Sequence, residues 1–241
     1  MFGYTQLFRS LLASAAVVAA MLLTACADGG SVADSNASPF VQPKKATVIL
    51  VFGDSTSQGY GYEKFGTYYE DVPPGKMYAD LLRNRLKAEK IDAFAPVTVI
   101  NESLGSEFAF ESISRLSYVL AVYKPTHVLL AHGTNDARAQ IPLSDMSNNF
   151  ITMINMVRNS GAKPLLADMT LTVYGKDYGD AYSKMVRDTA FIAAATYVPI
   201  VENIIYKPQY VLNDGYGYHY NETAQPLMMI NVWNKLIPLL E

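Results

Sequence analysis

One cysteine, one tryptophan and three histidines in 241 residues leave little material for several kinds of chemistry. A single thiol, Cys26, cannot close an intrachain disulfide. His127, His132 and His219 are too few and too scattered for a metal site with the usual ligand spacing. Lysine and arginine form no run, the net charge is −3 and the pI is near 5.6, so the electrostatic footprint of a nucleic-acid binder is missing. The one early apolar stretch, Leu11 to Leu23, is too short to span a bilayer.

What is present is a 50% hydrophobic chain, enough for one globular domain with a substantial core. Residues 1–26 read as a signal peptide, with Arg9 before the apolar stretch. It closes on Leu23-Thr24-Ala25-Cys26, which resembles the lipobox of bacterial lipoproteins, where the cysteine becomes the lipidated first residue of the mature chain. The plainer alternative is an ordinary secretory signal with an incidental cysteine. Residues 27–45 mix Gly, Ser, Asp, Asn and Pro without apolar periodicity, as a flexible tether does. A coil of that length reaches roughly 25 Å. The expected arrangement is a domain over 46–241 in the cell envelope, facing the periplasm or exterior and touching the membrane through a lipid anchor only.

From Ala46 on, short apolar runs alternate with longer amphipathic segments, the pattern of a parallel sheet with crossover helices. Strands are expected near 47–52, 97–101, 127–131, 163–167 and 200–202. Helices are expected near 75–89, 111–122, 144–159, 180–196 and 223–236. The predicted fold is a three-layer α/β/α sandwich on a five-stranded parallel sheet, flavodoxin-like, with ligands at the carboxyl ends of the strands.

At that edge the stretch VILVFGDSTSQGYG, Val48 to Gly61, runs a buried strand into Gly53-Asp54-Ser55. A capped turn would explain three such residues, and so would a phosphate cradle. The cradle lacks the lysine of a P-loop, and Gly59 and Gly61 come too late for a dinucleotide fingerprint. The third strand ends in VLLAHGTNDAR, and the last part of the chain holds LNDGYGYHYNETAQ. With these companions the chain, from about Ala46 to Trp233, resembles the SGNH (GDSL-type) hydrolases. The resemblance implies Ser55 as nucleophile and first oxyanion donor, Asn135 as a side-chain oxyanion donor, and Asp214 and His219 as the rest of a triad. The chemistry accounts for the set, because serine is a poor nucleophile until an imidazole takes its proton and the oxyanion needs fixed donors. His127 and His132 bring no carboxylate with them and read as packing or support.

Two places depart from the family pattern. In VINESLGSEFAF the glycine expected five residues after Asn101 is Ser106, with Gly105 one residue early, so either Gly105 or Ser106 offers the backbone donor. If the loop needs positive φ, serine suits it poorly. In the last block four residues separate Asp214 from His219 where the family has two. Gly215 and Gly217 would let the loop bulge back; otherwise Asn213, Glu222 or a carbonyl would orient the imidazole.

Tyrosines crowd both blocks: Tyr60, Tyr62, Tyr68, Tyr69 and Tyr78 near the first, Tyr206, Tyr210, Tyr216, Tyr218 and Tyr220 near the last. They suit an aromatic rim for sugars or aromatic and extended acyl esters, or else plain packing. The expected activity is hydrolysis of a carboxylic ester through an acyl-serine, without metal or organic cofactor, with carbohydrate or other envelope or extracellular esters as candidate substrates. A thioesterase or lysophospholipase of the same mechanism, a non-catalytic envelope binding protein of the same fold, and a flavin or nucleotide binder are the alternatives. Nothing in the sequence speaks to oligomeric state.

Overall fold

The run that opens the domain does not alternate in polarity, because both of its faces are covered. In a computed structural model that describes residues 46–59, 72–73, 75–91, 95–205 and 207–240, it forms β1 (Thr47–Gly53), buried from Ile49 onward. The other strands are β2 (Val97–Asn101), β3 (His127–Ala131), β4 (Lys163–Ala167) and β5 (Thr196–Val198). All pair in parallel, in the order β2-β1-β3-β4-β5. The leader, Cys26 and the tether, with Tyr60, Tyr62, Tyr68, Tyr69 and Tyr206, lie outside the described residues.

Four strands fall where the apolar runs place them, and the fifth does not. Thr196-Tyr197-Val198, not the expected 200–202, lies against Leu165, Leu166 and Ala167. Two β-branched residues and an aromatic favour the pleat, and the following Pro199 has no N–H to extend the ladder. Ile200 already turns its N–H back to the Val198 carbonyl at 2.8 Å.

Among the described residues the helices are α1 (Ser55–Gln58), α2 (Tyr78–Ala88), α3 (Ala109–Tyr123), α4 (Thr134–Arg138), α5 (Leu143–Asn159) and α6 (Lys176–Ile192) between the strands, and α7 (Gln225–Leu236) after the last. The expected fourth helix, 180–196, thus sits four residues too late, its end belonging to β5. The short α1 and α4 carry too few residues for a periodic signal and went unseen. Contacts group α2 with α7, and α3 with α5 and α6, giving a helical layer on each face. The first crossover runs from β1 to β2 on one side and the next returns past β1 to β3, so the chain reverses direction between β2 and β3. The crevice outside the carboxyl ends of β1 and β3 is the natural ligand site of such a sheet.

Strand β1 ends close against its neighbour. A Cβ on Gly53 would come within 2.6 Å of the Ala131 carbonyl oxygen, a backbone atom that cannot swing away. Gly53→Ala is therefore expected to lower stability by about 2 kcal/mol, the usual cost of forcing extra volume into a packed interior. Urea unfolding would check it, and wild-type stability in that variant would show that the two strand ends are not tightly apposed.

Candidate active site

Asp54 is completely buried and caps α1. One carboxylate oxygen accepts from the Thr56 N–H at 3.1 Å and from the Thr56 hydroxyl. The other reaches across to α4, accepting from the Thr134 N–H at 3.1 Å and from the Thr134 hydroxyl. One side chain thereby joins the loop after β1 to the loop after β3. Ser55 and Asn135 are each the next residue along from the joined positions.

The partner of Ser55 comes from the far end of the chain. Its Oγ lies 2.8 Å from Nε2 of His219, and Nδ1 of His219 is hydrogen-bonded to Oδ2 of Asp214. The five-residue separation that looked awkward in sequence is resolved as a tight hairpin-like loop. Leu212 N–H donates to the His219 carbonyl at 2.8 Å, and Val211 bridges to Tyr220 in antiparallel fashion. Gly215 and Gly217 turn the chain with φ of +79° and +77°, values open to glycine at little cost. Burial pushes the Asp214 carboxyl up, but hydrogen bonds from His219 and from the Tyr216 and Gly217 N–H groups outweigh it and hold the group below its ordinary value. With an anionic acceptor on Nδ1, that nitrogen keeps the proton and Nε2 is left to accept one from Ser55. Gln225 anchors the block, accepting from the Tyr78 N–H at 3.1 Å and donating to the Tyr220 carbonyl at 2.9 Å.

Of the two backbone donors left open after β2, the Gly105 N–H is already used, donating to Gln58 Oε1 at 2.7 Å. An N–H engaged in this way is not free to meet an oxyanion while that bond holds. Ser106 carries the positive φ of this loop, +66°, a strain of the kind that persists where the surroundings over-determine it. Among the described residues neither the Ser106 nor the Ser55 N–H is given an acceptor. Asn135 donates one amide hydrogen to the Glu107 carbonyl at 3.1 Å, which orients the amide and leaves its second hydrogen to give.

Glu107 supports this loop from below. Its carboxylate binds Arg115 through Nε at 2.8 Å, and His132 through Nε2 at 3.1 Å. Burial alone would raise the carboxyl; these two partners pull it below its ordinary value. Arg115 also donates to the Glu102 carbonyl at 2.7 Å and lies over the Phe52 ring. His132 therefore does have a carboxylate partner, against the sequence expectation, but the imidazole on Ser55 is that of His219, and His132 serves as support. His127, bonded to Thr126 and to the Leu239 carbonyl, sits at the opposite edge of the sheet.

Among the tyrosines, Tyr78, Tyr218 and Tyr220 are buried; Tyr78 and Tyr218 pack, with the Tyr78 hydroxyl holding Ser57 at 2.8 Å, and Tyr220 also borders the cleft at Ser55 and His219. Tyr216 stays partly open, edge-on to the His219 ring at 5.4 Å. Exposed Tyr174, after β4, and exposed Arg138, at the end of α4, join that group and were not anticipated. Their signal was positional only, since both follow strands whose carboxyl ends face the site. Ser55 and His219 also border a cleft with Val72, Met77 and Leu212.

Residues 51–225 match the sequence profile of the GDSL-like lipase/acylhydrolase family. Among characterised proteins, Esterase TesA of Pseudomonas aeruginosa is 30% identical over 200 residues, covering 83% of this chain and 92% of the relative. An arylesterase of Vibrio mimicus is 29% identical over 191 residues, covering 78% and 88%. A crystal structure of TesA superposes with a TM-score of 0.70 at 28% identity, over 80% of this chain and 99% of that one.

The Asp54 bridge makes a measurable demand. In Asp54→Asn one acceptor oxygen becomes an NH₂ facing donors that it cannot satisfy. The expected loss is about 2 kcal/mol of stability, the scale of an unsatisfied buried group, together with a drop in ester turnover of about tenfold or more at little change in KM. Unfolding curves and steady-state kinetics on one preparation test this; an unchanged kcat in a destabilised protein would show that the bridge holds the fold but not the site.

Proposed function

The chain belongs to the GDSL-like lipase/acylhydrolase family and is a serine esterase, and from that premise we propose that Ser55 is its nucleophile, His219 its general base and Asp214 the carboxylate that orients the base. The observation that carries this reading is the unbroken line from Ser55 Oγ through Nε2 and Nδ1 of His219 to Asp214.

Catalysis then runs as follows. His219 Nε2 takes the hydroxyl proton as Ser55 Oγ attacks the ester carbonyl carbon. The tetrahedral oxyanion is met by the N–H groups of Ser55 and Ser106 and by the free amide hydrogen of Asn135, donors already in place before the charge develops. The protonated imidazole returns its proton to the departing alcohol, leaving an acyl-serine. Water, activated by the same nitrogen, releases the acid. The two departures from the family pattern do not interrupt this sequence, since a backbone donor needs no particular side chain and the stretched loop closes on glycines.

The alcohol portion of the ester is read as aromatic. Half-buried Tyr216 packs on His219 and exposed Tyr174 lies against Tyr218, which also packs on His219, and one relative bears the name arylesterase. The protein is further proposed to be a lipid-anchored envelope protein, on the strength of Leu23-Thr24-Ala25-Cys26 behind a short apolar stretch and ahead of a polar tether. Among the described residues no helix is long and apolar enough to cross a membrane.

Ser55→Ala should remain folded and lose about 10⁴-fold or more in kcat on a phenyl ester, the scale seen when a triad member is removed. It should also lose covalent labelling by a fluorophosphonate; a folded variant that keeps either property removes Ser55 from the role. For the anchor, the wild type should fractionate with membranes and carry the mass of acyl chains, and Cys26→Ala should abolish both. Membrane association with no added mass would reject lipidation.

A further inference from the structure

Arg138 ends α4 three residues after Asn135, so the two side chains leave the same face of that turn. Its guanidinium carbon lies 5.7 Å from the centre of the Tyr216 ring. Tyr216 in turn packs on the His219 ring at 5.4 Å, while Tyr218 packs on it at 4.8 Å and Tyr174 lies 6.4 Å from Tyr218. Contacts therefore run outward from the base, through aromatic rings, to a cation. The charge reaches the neighbouring phenols: burial raises Tyr174 and Tyr218, and Arg138 works against it at both.

Other cations around this edge are taken. Lys76 pairs with Glu222 at 3.3 Å, and Arg115 with Glu107. Arg138 is exposed, and among the described residues no carboxylate pairs with it. Ester hydrolysis as derived above makes no use of it. Arg138 is thus an exposed guanidinium against the aromatic neighbours of the base, without a carboxylate partner among the described residues, in a chain of net charge −3.

The direction it serves follows from the site. The oxyanion donors mark where the carbonyl oxygen must lie, and Nε2 of His219 marks the leaving oxygen, because it must hand that oxygen a proton. Tyr216 packs on His219 and Arg138 on Tyr216, so the path from the leaving oxygen leads to Arg138. Ser55 and His219 both border one small cleft with Val72, Met77, Leu212 and Tyr220, and Arg138 and Tyr216 stand outside its lining.

We propose that Arg138 and Tyr216 form a subsite for a negatively charged leaving group, a carboxylate carried on the aromatic or alcohol portion of the ester. The proposal rests on the reading of Ser55 and His219 as nucleophile and base. A guanidinium presents paired donors to a carboxylate in one plane and stacks against aromatic faces, which lysine does not do. The tyrosine ring would hold the flat body of the leaving group while the guanidinium holds its charged end.

Two acetyl esters separate the charge from the shape: that of 4-hydroxybenzoate, anionic at the far end of the ring, and that of 4-hydroxybenzamide, neutral there. The wild type is expected to favour the anionic ester in kcat/KM, with the preference fading as salt rises. Arg138→Gln should lower the anionic-to-neutral ratio about fivefold or more, mainly through KM, the scale of one partly exposed ion pair. Arg138→Lys should retain part of the preference. An unchanged ratio in Arg138→Gln overturns the proposal. So does a loss confined to 4-nitrophenyl hemisuccinate, whose charge is on the acyl side. The binding arm does not depend on turnover: in the Ser55→Ala background, adding Arg138→Gln should weaken calorimetric binding of the 4-hydroxybenzoate ester by a similar factor, and equal binding overturns the subsite. If Ser55→Ala still hydrolyses esters, the nucleophile assignment fails while the binding arm still decides for or against Arg138.

Discussion

Everything at this site hangs on a carboxylate that takes no part in the chemistry. Asp54 sits between two loops that start from neighbouring strands, and each of its oxygens satisfies a backbone N–H and a threonine hydroxyl. Without it, the peptide after β1 and the peptide after β3 would each have orphan donors facing a dry interior. Because Ser55 follows Asp54 and Asn135 follows Thr134, the bridge sets the separation between the attacking oxygen and an oxyanion donor. A buried charge is costly unless fully partnered, and four donors meet that requirement.

The same device recurs along the carboxyl edge of the sheet. Asp136 accepts the Ala109 N–H at 3.0 Å, tying the start of α3 to α4, with burial raising its carboxyl above the ordinary range. Glu107 collects Arg115 and His132 beneath the Ser106 loop. Asp168, at the end of β4, takes the Thr170 N–H at 2.7 Å and the Tyr197 hydroxyl at 2.6 Å. Loops of this kind lack the ladder hydrogen bonds that hold the strands, and internal carboxylates supply acceptors in their place. The outcome is a set of donors aimed before substrate arrives, which is how a hydrolase obtains electrostatic stabilisation without reorganising at the moment of reaction.

Strain is placed in keeping with this. Ser106 holds a left-handed backbone where the family has glycine, between Gly105, pinned by Gln58, and Glu107, pinned by Arg115 and His132. Neighbours fixed on both sides leave the intervening peptide little choice. The last block reaches the opposite balance, with Gly215 and Gly217 absorbing the turn so that Asp214 and His219 can be relaxed.

Much of this architecture is local information and was open to reading from the chain alone. Runs such as VILVF and HVLLA encode buried parallel strands because both faces must be apolar, and the glycine, aspartate and serine after β1 mark a strand end on the functional edge. Ser55, Asn135, Asp214 and His219 could be nominated from the chain because each sits in a short block that resembles one of the family's, and the fold brings Ser55, His219 and Asp214 into one line. The position of β5 was not, since a three-residue strand is specified less by its own composition than by the neighbour it pairs with and the proline that stops it. Nor could the chain alone show that the Gly105 N–H is engaged by Gln58, 47 positions away in sequence, while that of Ser106 is not engaged in this way. The junction of Asp54 with Thr134 and the line from Tyr216 to Arg138 are likewise contacts between segments that meet only when the sheet is assembled. Sequence determines which groups are available and roughly which edge they occupy; hydrogen bonds between distant loops decide which of them face one another, because a backbone donor has no identity until its surroundings take or leave it.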